Sequence, residues 1–383
     1  MSHQPVRILH QINHMNQDTA QSFIMKVYRH IDRSKIQFDF IVHTHNPSDY
    51  DEEIRALGGR IFNLQKPYKT GWIGYIYDLK AIIQLHGPFH AIHTHAMDMS
   101  GFILFMARWL GIPIRIAHSH SLSEVAFSLS PGKMSRWLRR KLIRHNATNW
   151  LGSSSSANQA SLGFQAGHDQ RSKMLRNGID LSQYAKSDAK SAAKHTALRE
   201  QLLIETDEPI VGHIGRFSAV KNHRFLIEIF EELLYRMPNA RLVLIGDGPL
   251  RPQIEEIIEQ KGIKNRVHLL GRQEDIAAFF QELDVLVLPT FQDGLPMVLV
   301  EAQAAGVPCV VSDTLPGEAN LKAGFFTYVS LEQEAAIWAQ WLMKAIQSDP
   351  VPEETRIRAV QQAGYDIKET VLKLEDVYNA QIS

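Results

Sequence analysis

Two carboxylates eight residues apart, Asp293 and Glu301, concentrate the chemistry of this sequence. Asp293 lies in the turn Pro289-Thr290-Phe291-Gln292-Asp293-Gly294, and Glu301 in a helical segment spanning about Met297 to Ala305. Acids at the head and along one face of such a helix can accept hydroxyl hydrogen bonds from a sugar or ribose. Each bond is worth about 1.5–3 kcal/mol when charge-assisted. The amides of Gly294, Leu295 and Met297 are expected to be free, presenting donors and a positive helix terminus to an anion, whereas Pro296 has none to give. A phosphorylated polyol fits both halves. A plainer alternative has the two acids serving a helix start and a solvated face.

Cations stand at a second strand end. In His213-Ile214-Gly215-Arg216-Phe217-Ser218-Ala219-Val220-Lys221-Asn222, Arg216 offers a fork of donors and Lys221 a point charge, a pair suited to a diphosphate. Gly215 permits close backbone approach. Gly246-Asp247-Gly248-Pro249 also follows a strand and leaves room for a flat ligand, although such turns are common. His93-Thr94-His95 and His118-Ser119-His120 each set two imidazoles on one side of a strand end. No third-ligand pattern joins them, so a histidine in a sugar pocket is preferred to zinc. Asp49-Tyr50-Asp51 precedes a helix and reads as capping. The basic run Lys133–Arg144, interleaved with Trp137 and Leu138, is either a solvated helix face or a surface for an anionic bilayer or a lipid-diphosphate.

These residues need strands to position them. Val285–Leu288 and Cys309–Ser312 flank the Met297–Ala305 helix as apolar runs without a polar face, which suits parallel strands covered on both sides. Ile210–Ile214, Arg241–Ile245 and Val267–Leu270 precede them. An earlier series comprises Val6–Gln11, Phe38–His43, Arg60–Leu64, Ala91–His95, Ile112–His118 and Thr148–Gly152. Helical patterns fall at Ser22–Ile31, Met99–Gly111, from Phe225 to Leu234, and at Ile367–Ile382. Strands alternating with helices predict two doubly wound parallel sheets. A chain of 383 residues exceeds one compact core. The turn Arg176–Asp180 and the polar stretch Ser182–Thr196 place the boundary. One domain then spans 1–178 with a terminal helix at about 365–383, and the other 179–364. Cationic and acidic residues balance at 41 each, so no global charge recruits nucleic acid. The single cysteine, Cys309, reads as a small core residue. No signal-peptide core or stretch of transmembrane length is visible, and a cytoplasmic location is expected.

Together, Gly215-Arg216 with Lys221-Asn222, Gly246-Asp247-Gly248-Pro249, Leu269-Leu270-Gly271-Arg272, Asp284-Val285 and the run Gly294–Ala304 resemble the retaining GT-B glycosyltransferases of family four, especially those of bacterial exopolysaccharide assembly. The match extends over almost the whole chain. Asn177-Gly178-Ile179-Asp180 resembles the family's interdomain hinge, and Gly364-Tyr365-Asp366-Ile367 the start of the segment that crosses back to the first domain. The resemblance implies two Rossmann-like domains facing a cleft, with an N-terminal acceptor domain and a C-terminal donor domain that holds a nucleotide sugar, a UDP-sugar before others. Arg216 and Lys221 would bind its diphosphate, with Gly215 and Gly246 admitting the ligand. Glu301 would take the ribose hydroxyls and Asp293 the transferred sugar. The backbone at Gly294, Leu295, Met297 and Val298 would meet sugar or phosphate, Arg272 would line the base pocket, and His118 would lie near the reacting sugar. No metal or other cofactor is implied, because paired cations can stabilise the leaving diphosphate. The implied acceptor is a glycan or a polyprenyl-diphosphate-linked one, with contact to the inner membrane face through Lys133–Arg144.

Two residues depart from the family pattern. Asp293 stands where relatives carry Glu, one methylene longer. Asp18-Thr19-Ala20-Gln21 replaces a Gly-Gly-Ala-Glu loop, which puts bulk and an anion where donor phosphates are expected. Two alternatives follow: a UDP-sugar 2-epimerase of the same architecture, and a catalytically weakened nucleotide-sugar-binding assembly partner.

Overall fold

The computed structural model describes residues 4–95, 97–120, 133–154, 169–184, 199–273 and 275–379. Parts of the serine run Ser153–Ser156, of the polar stretch Ser182–Thr196 and of the terminal pattern Ile367–Ile382 lie outside the described residues. The chain forms two compact units, Met1–Ile179 with Asp366–Ser383, and Asp180–Tyr365.

In the first unit, β1 (Val6–Ile12), β2 (Ile36–Val42), β3 (Ile61–Asn63), β4 (Ala91–Thr94), β5 (Ile114–Ser119), β6 (Asn149–Gly152) and β7 (Ser172–Met174) make a parallel sheet of order β3-β2-β1-β4-β5-β6-β7. Up to residue 179 the described α-helices of this unit are α1 (Thr19–His30), α2 (Asp51–Ala56), α3 (Pro67–His86), α4 (Met97–Trp109) and α5 (Lys133–Asn146). The second unit has β8 (Ile210–Ile214), β9 (Arg241–Ile245), β10 (Val267–Gly271), β11 (Val285–Leu288), β12 (Cys309–Ser312) and β13 (Phe326–Val329) in the order β10-β9-β8-β11-β12-β13. Its helices are α6 (His223–Leu234), α7 (Arg251–Gln260), α8 (Ile276–Phe280), α9 (Met297–Ala305), α10 (Ala335–Ile346) and α11 (Glu353–Gln362). Every residue of β8, β11 and β12 is buried, the physical reason their sequences show no polar alternation, with His213 and Ser312 as the buried polar exceptions. Cys309 is among them, and burial pushes its thiol up, as suits a core residue.

Strand order reverses between β1 and β4 in one sheet and between β8 and β11 in the other. Ligands of doubly wound sheets bind outside the carboxyl ends of the strands at such reversals. The residues that follow these four strands are therefore placed to meet a ligand.

The final helix, α12 (Ile367–Asn379), belongs to the first unit and packs on α1. Its Ile367, Val371, Leu374, Val377 and Tyr378 share a core with Phe38 and Phe40 of β2. The segment Arg176–Asp180, expected as a turn, contains no turn. Ile179 is fully buried and pairs with Asp366 as a parallel bridge, which satisfies backbone groups a turn would leave bare. Gly178 makes this possible, since a Cβ there would lie 2.6 Å from the Ile367 Cα.

Candidate active site

In the second unit the loops after β8 and β9 are joined backbone to backbone. Gly215 N donates to Ile245 O at 2.9 Å, Phe217 N to Asp247 O at 3.0 Å and Leu250 N to Phe217 O at 3.2 Å. Gly246, at φ +134°, is obligatory here: a Cβ would sit 2.0 Å from the Gly215 carbonyl oxygen. The loop after β11 joins them, with Phe291 N (2.9 Å) and Thr290 Oγ1 (2.8 Å) both donating to Val220 O.

This assembly closes an ion pair. Lys221 Nζ donates to Asp293 Oδ2 at 2.5 Å, with the two side chains 15% and 28% exposed. Lys221 is thus not the free point charge the sequence suggests but half of a pair. The Gly294 amide, expected free, donates to Asp293 Oδ1 at 2.8 Å, because a short aspartate reaches the next amide along its own chain. The amides of Leu295, Met297 and Val298 find no acceptor among the described residues, so α9 keeps its positive terminus. Farther along α9, Glu301 is hydrogen-bonded to the Tyr184 hydroxyl. Burial first, and then the Glu301 carboxylate, push the Tyr184 phenol well above its ordinary value. Glu301 is therefore a held carboxylate rather than part of a solvated face. Tyr184, in an unpatterned stretch, gave no signal in the sequence. Arg216 after β8 and Arg272 after β10 are exposed and have no partner among the described residues.

At the reversal of the first sheet stand histidines. His10 of β1 is in register with His93 of β4, and His95, His118 and His120 complete a stack of five buried rings. The sequence shows two separated His-x-His pairs; the structure adds His10 as the third partner that no spacing revealed. Burial, then the neighbouring imidazoles, hold His118 well below the usual histidine range. The loop before α1 also differs from expectation. Asp18 is the residue at the helix start, 61% exposed and 3.8 Å from His14, and residues 19–21 form the first helical turn. Gln21 Nε2 donates to His14 O at 3.1 Å. Asp49 and Asp51 do not cap α2: Asp49 Oδ2 accepts from Gln17 N at 2.9 Å and Asp51 Oδ2 from Ser48 N at 3.2 Å, so they brace this loop.

The profile of the group 1 glycosyl transferases matches residues 194–362. Over 373 residues the chain is 36% identical to EpsF of Bacillus subtilis, a glycosyltransferase by name, covering 97% of this chain and 96% of that one. The chain belongs to the glycosyltransferases. It is also 24% identical over 262 residues to the UDP-Gal:alpha-D-GlcNAc-diphosphoundecaprenol alpha-1,3-galactosyltransferase of Escherichia coli, 63% of each chain being covered. Anabaena HepE, solved in complex with UDP, superposes with a TM-score of 0.76 at 19% identity over 98% of this chain and 100% of that one. The fold of this glycosyltransferase is GT-B.

Within it, Gly246→Ala is expected to cost about 2–4 kcal/mol, because the new Cβ meets backbone in a conformation L residues resist. Gly294→Ala, where a Cβ meets nothing within 4 Å, should leave stability nearly unchanged. Thermal unfolding of the two variants checks both. No described helix of the glycosyltransferase is long and apolar enough to cross a membrane. Its α5 packs on α4, burying Ile143 while leaving Trp137 and Leu138 exposed, and Lys141 Nζ lies 4.9 Å from the centre of the Trp137 ring.

Proposed function

We propose that this glycosyltransferase is a retaining enzyme of family four that moves a sugar from a UDP-sugar to a glycan or polyprenyl-diphosphate-linked acceptor in cell-surface polysaccharide synthesis, without a metal. The Lys221–Asp293 pair carries the proposal. It sits where the second sheet's strand order reverses, beside the unpaired first-turn amides of α9. Arg216, Lys221 and those amides would neutralise the diphosphate as it departs. Glu301 would hold the ribose, Arg272 the base and Asp293 the transferred sugar; for His118, in the first unit, the family resemblance implies a place near the reacting sugar. The UDP bound by HepE and the lipid-diphosphate named for the E. coli relative support donor and acceptor class.

Peripheral membrane contact is part of the same proposal. Exposed Tyr68, Trp72 and Tyr77 on α3, Trp109 on α4 and Trp137 on α5 accompany Lys80, 5.5 Å from the Trp109 ring centre, and Lys141. Aromatic rings with cations suit an anionic bilayer interface. The protein should float with anionic vesicles at low salt and be released at high salt.

Incubation with UDP-sugars and a polyprenyl-diphosphate-linked glycan, in chelator, tests the chemistry. Transfer with the anomeric configuration of the donor preserved, read from NMR couplings of the product, is expected. Inversion or an absolute metal requirement would contradict it. Release of UDP and an isomerised sugar without acceptor would mark an epimerase instead.

A further inference from the structure

The five buried histidines form two hydrogen-bonded chains. In one, His120 Nε2 meets His95 Nδ1 at 2.8 Å and His95 Nε2 meets His10 Nδ1 at 3.0 Å. In the other, the Tyr378 hydroxyl meets His93 Nδ1 at 3.0 Å and His93 Nε2 meets His118 Nδ1 at 3.2 Å. His10 Nε2, His120 Nδ1 and His118 Nε2 are buried chain ends without a partner among the described residues. Burial holds all five imidazoles neutral at ordinary pH, so each has one N–H to give and one bare nitrogen to receive.

The two chains differ in how many buried groups they leave unmet. The chain of three histidines ends on imidazole at both sides, and either direction leaves one N–H and one bare nitrogen unmet. The other ends on a phenol, which has a direction. If Tyr378 O–H donates to His93 Nδ1, then His93 Nε2–H donates to His118 Nδ1, and only the His118 Nε2–H is left over. In the reverse direction His93 Nδ1–H donates to Tyr378. The Tyr378 hydroxyl proton then has no acceptor among the described residues, and His118 Nε2 is bare as well. The reverse strands two buried groups where the forward direction strands one, and each stranded group is costly. Burial also pushes the Tyr378 phenol up, so the hydroxyl keeps the proton that the forward direction uses.

We propose that Tyr378 and His93 are positioning residues that fix His118 as its Nε2–H tautomer, so that His118 presents a hydrogen-bond donor to an acceptor oxygen of the ligand. The inference rests on the assignment of His118 to the reacting sugar made above. The ligand oxygen is of the hydroxyl or phosphoryl class, and His118 binds it without removing a proton from it. The α12 helix thereby has a task beyond packing, since it carries the hydroxyl that sets the direction of the chain.

The test uses the full chain labelled with 15N histidine, read by long-range 1H–15N correlation, which distinguishes a protonated Nε2 from a protonated Nδ1. In the wild-type protein His93 and His118 should both carry the proton on Nε2. Tyr378→Phe, which removes only the hydroxyl, should let the His118 tautomer become mixed or reversed. It should also lower kcat about tenfold with KM for the donor little changed, the scale typical of groups that orient a ligating histidine. His93→Gln keeps an N–H at the position that faces His118 and should restore tautomer and turnover, whereas His93→Leu should not. A purely structural role would not distinguish Gln from Leu in this way. His118 found with its proton on Nδ1 in the wild type, or a tautomer unmoved in Tyr378→Phe, would overturn the proposal. Ring nitrogens of His10, His93 and His95, and of His95, His118 and His120, lie within 4.8 Å of one another in each set. A bound divalent metal in the purified protein, with the histidine signals shifting on chelation, would therefore also overturn it. The tautomer is read without substrate, so its failure is distinct from a failure of the transfer chemistry.

Discussion

Lys221→Met is expected to lower turnover about 10²–10³-fold, the range seen when one preorganised charge-stabilising donor is removed. The substitution keeps the stem that lies within the fold and removes only the ammonium group, so the protein should still fold cooperatively, with its thermal transition lowered by the unpaired Asp293. Its effect is large because the loss is double. The leaving diphosphate loses a cation, and Asp293 becomes a half-buried carboxylate with no counter-charge beside it. Asp293→Asn should behave oppositely toward free UDP. Relieved of its partner, Lys221 can give its full charge to the diphosphate, so UDP affinity should hold or rise while transfer falls. Glu301→Ala should weaken donor binding about 10- to 100-fold, the loss of one charge-assisted hydrogen bond. Steady-state kinetics with the KM and kcat effects separated, alongside titration with UDP, check all three. Equal losses in UDP affinity for Lys221→Met and Asp293→Asn would show that the pair is merely structural.

Acid should unfold the first unit before the second. His10 and His120 are held down to about 3 by burial, and His93, His95 and His118 well below their ordinary value for the same leading reason. In the unfolded chain each would titrate near 6.5, so the unfolded state takes up protons first as pH falls. The stability contributed by these groups is thus complete at neutral pH and above, and is lost on the way from about 6.5 toward the folded values. Each histidine costs on the order of 1 kcal/mol per pH unit as the pH falls below about 6.5. Five together rival the about 5–15 kcal/mol that holds a domain folded. The second unit has a smaller set of this kind, His213 held well below its ordinary value, His223 lowered to about 4 and His268 lowered, all three first by burial. Hydrogen exchange at pH 7.5 and pH 5 should show protection in β1, β4 and β5 collapsing while β8 and β11 stay protected. Equal protection of β1 and β8 at pH 5 would contradict the account.

Sequence carried the second unit further than the first. Its strands β8, β9, β11 and β12 fall at the residues expected, because fully covered parallel strands announce themselves as unbroken apolar runs. The helix α3 was not legible: apolar residues lie on both its faces, Tyr68, Trp72 and Ile73 are exposed, and Gly71 at φ 73° interrupts it. Strand β7, three residues long, is too short to show a period, and β13, FTYV, is only partly buried and so lacks the unbroken apolar run of β11. At the site the motifs were visible one by one, but not their joining. Lys221 and Asp293 are 72 residues apart, and only the reversal of strand order puts them in contact. His10 hid inside an apolar strand, and Tyr378 inside an amphipathic helix, where each reads as core. What the sequence could not show was pairing, because a hydrogen bond between distant segments leaves no spacing to count.

The most direct measurement is isothermal titration of the protein with UDP, GDP and ADP in the presence of a chelator. A UDP-sugar site built on Arg216, Lys221 and α9 predicts selective UDP binding without metal, weakened in Lys221→Met. Absence of UDP binding in a protein that melts cooperatively, or an unchanged constant in both Lys221→Met and Glu301→Ala, would contradict it.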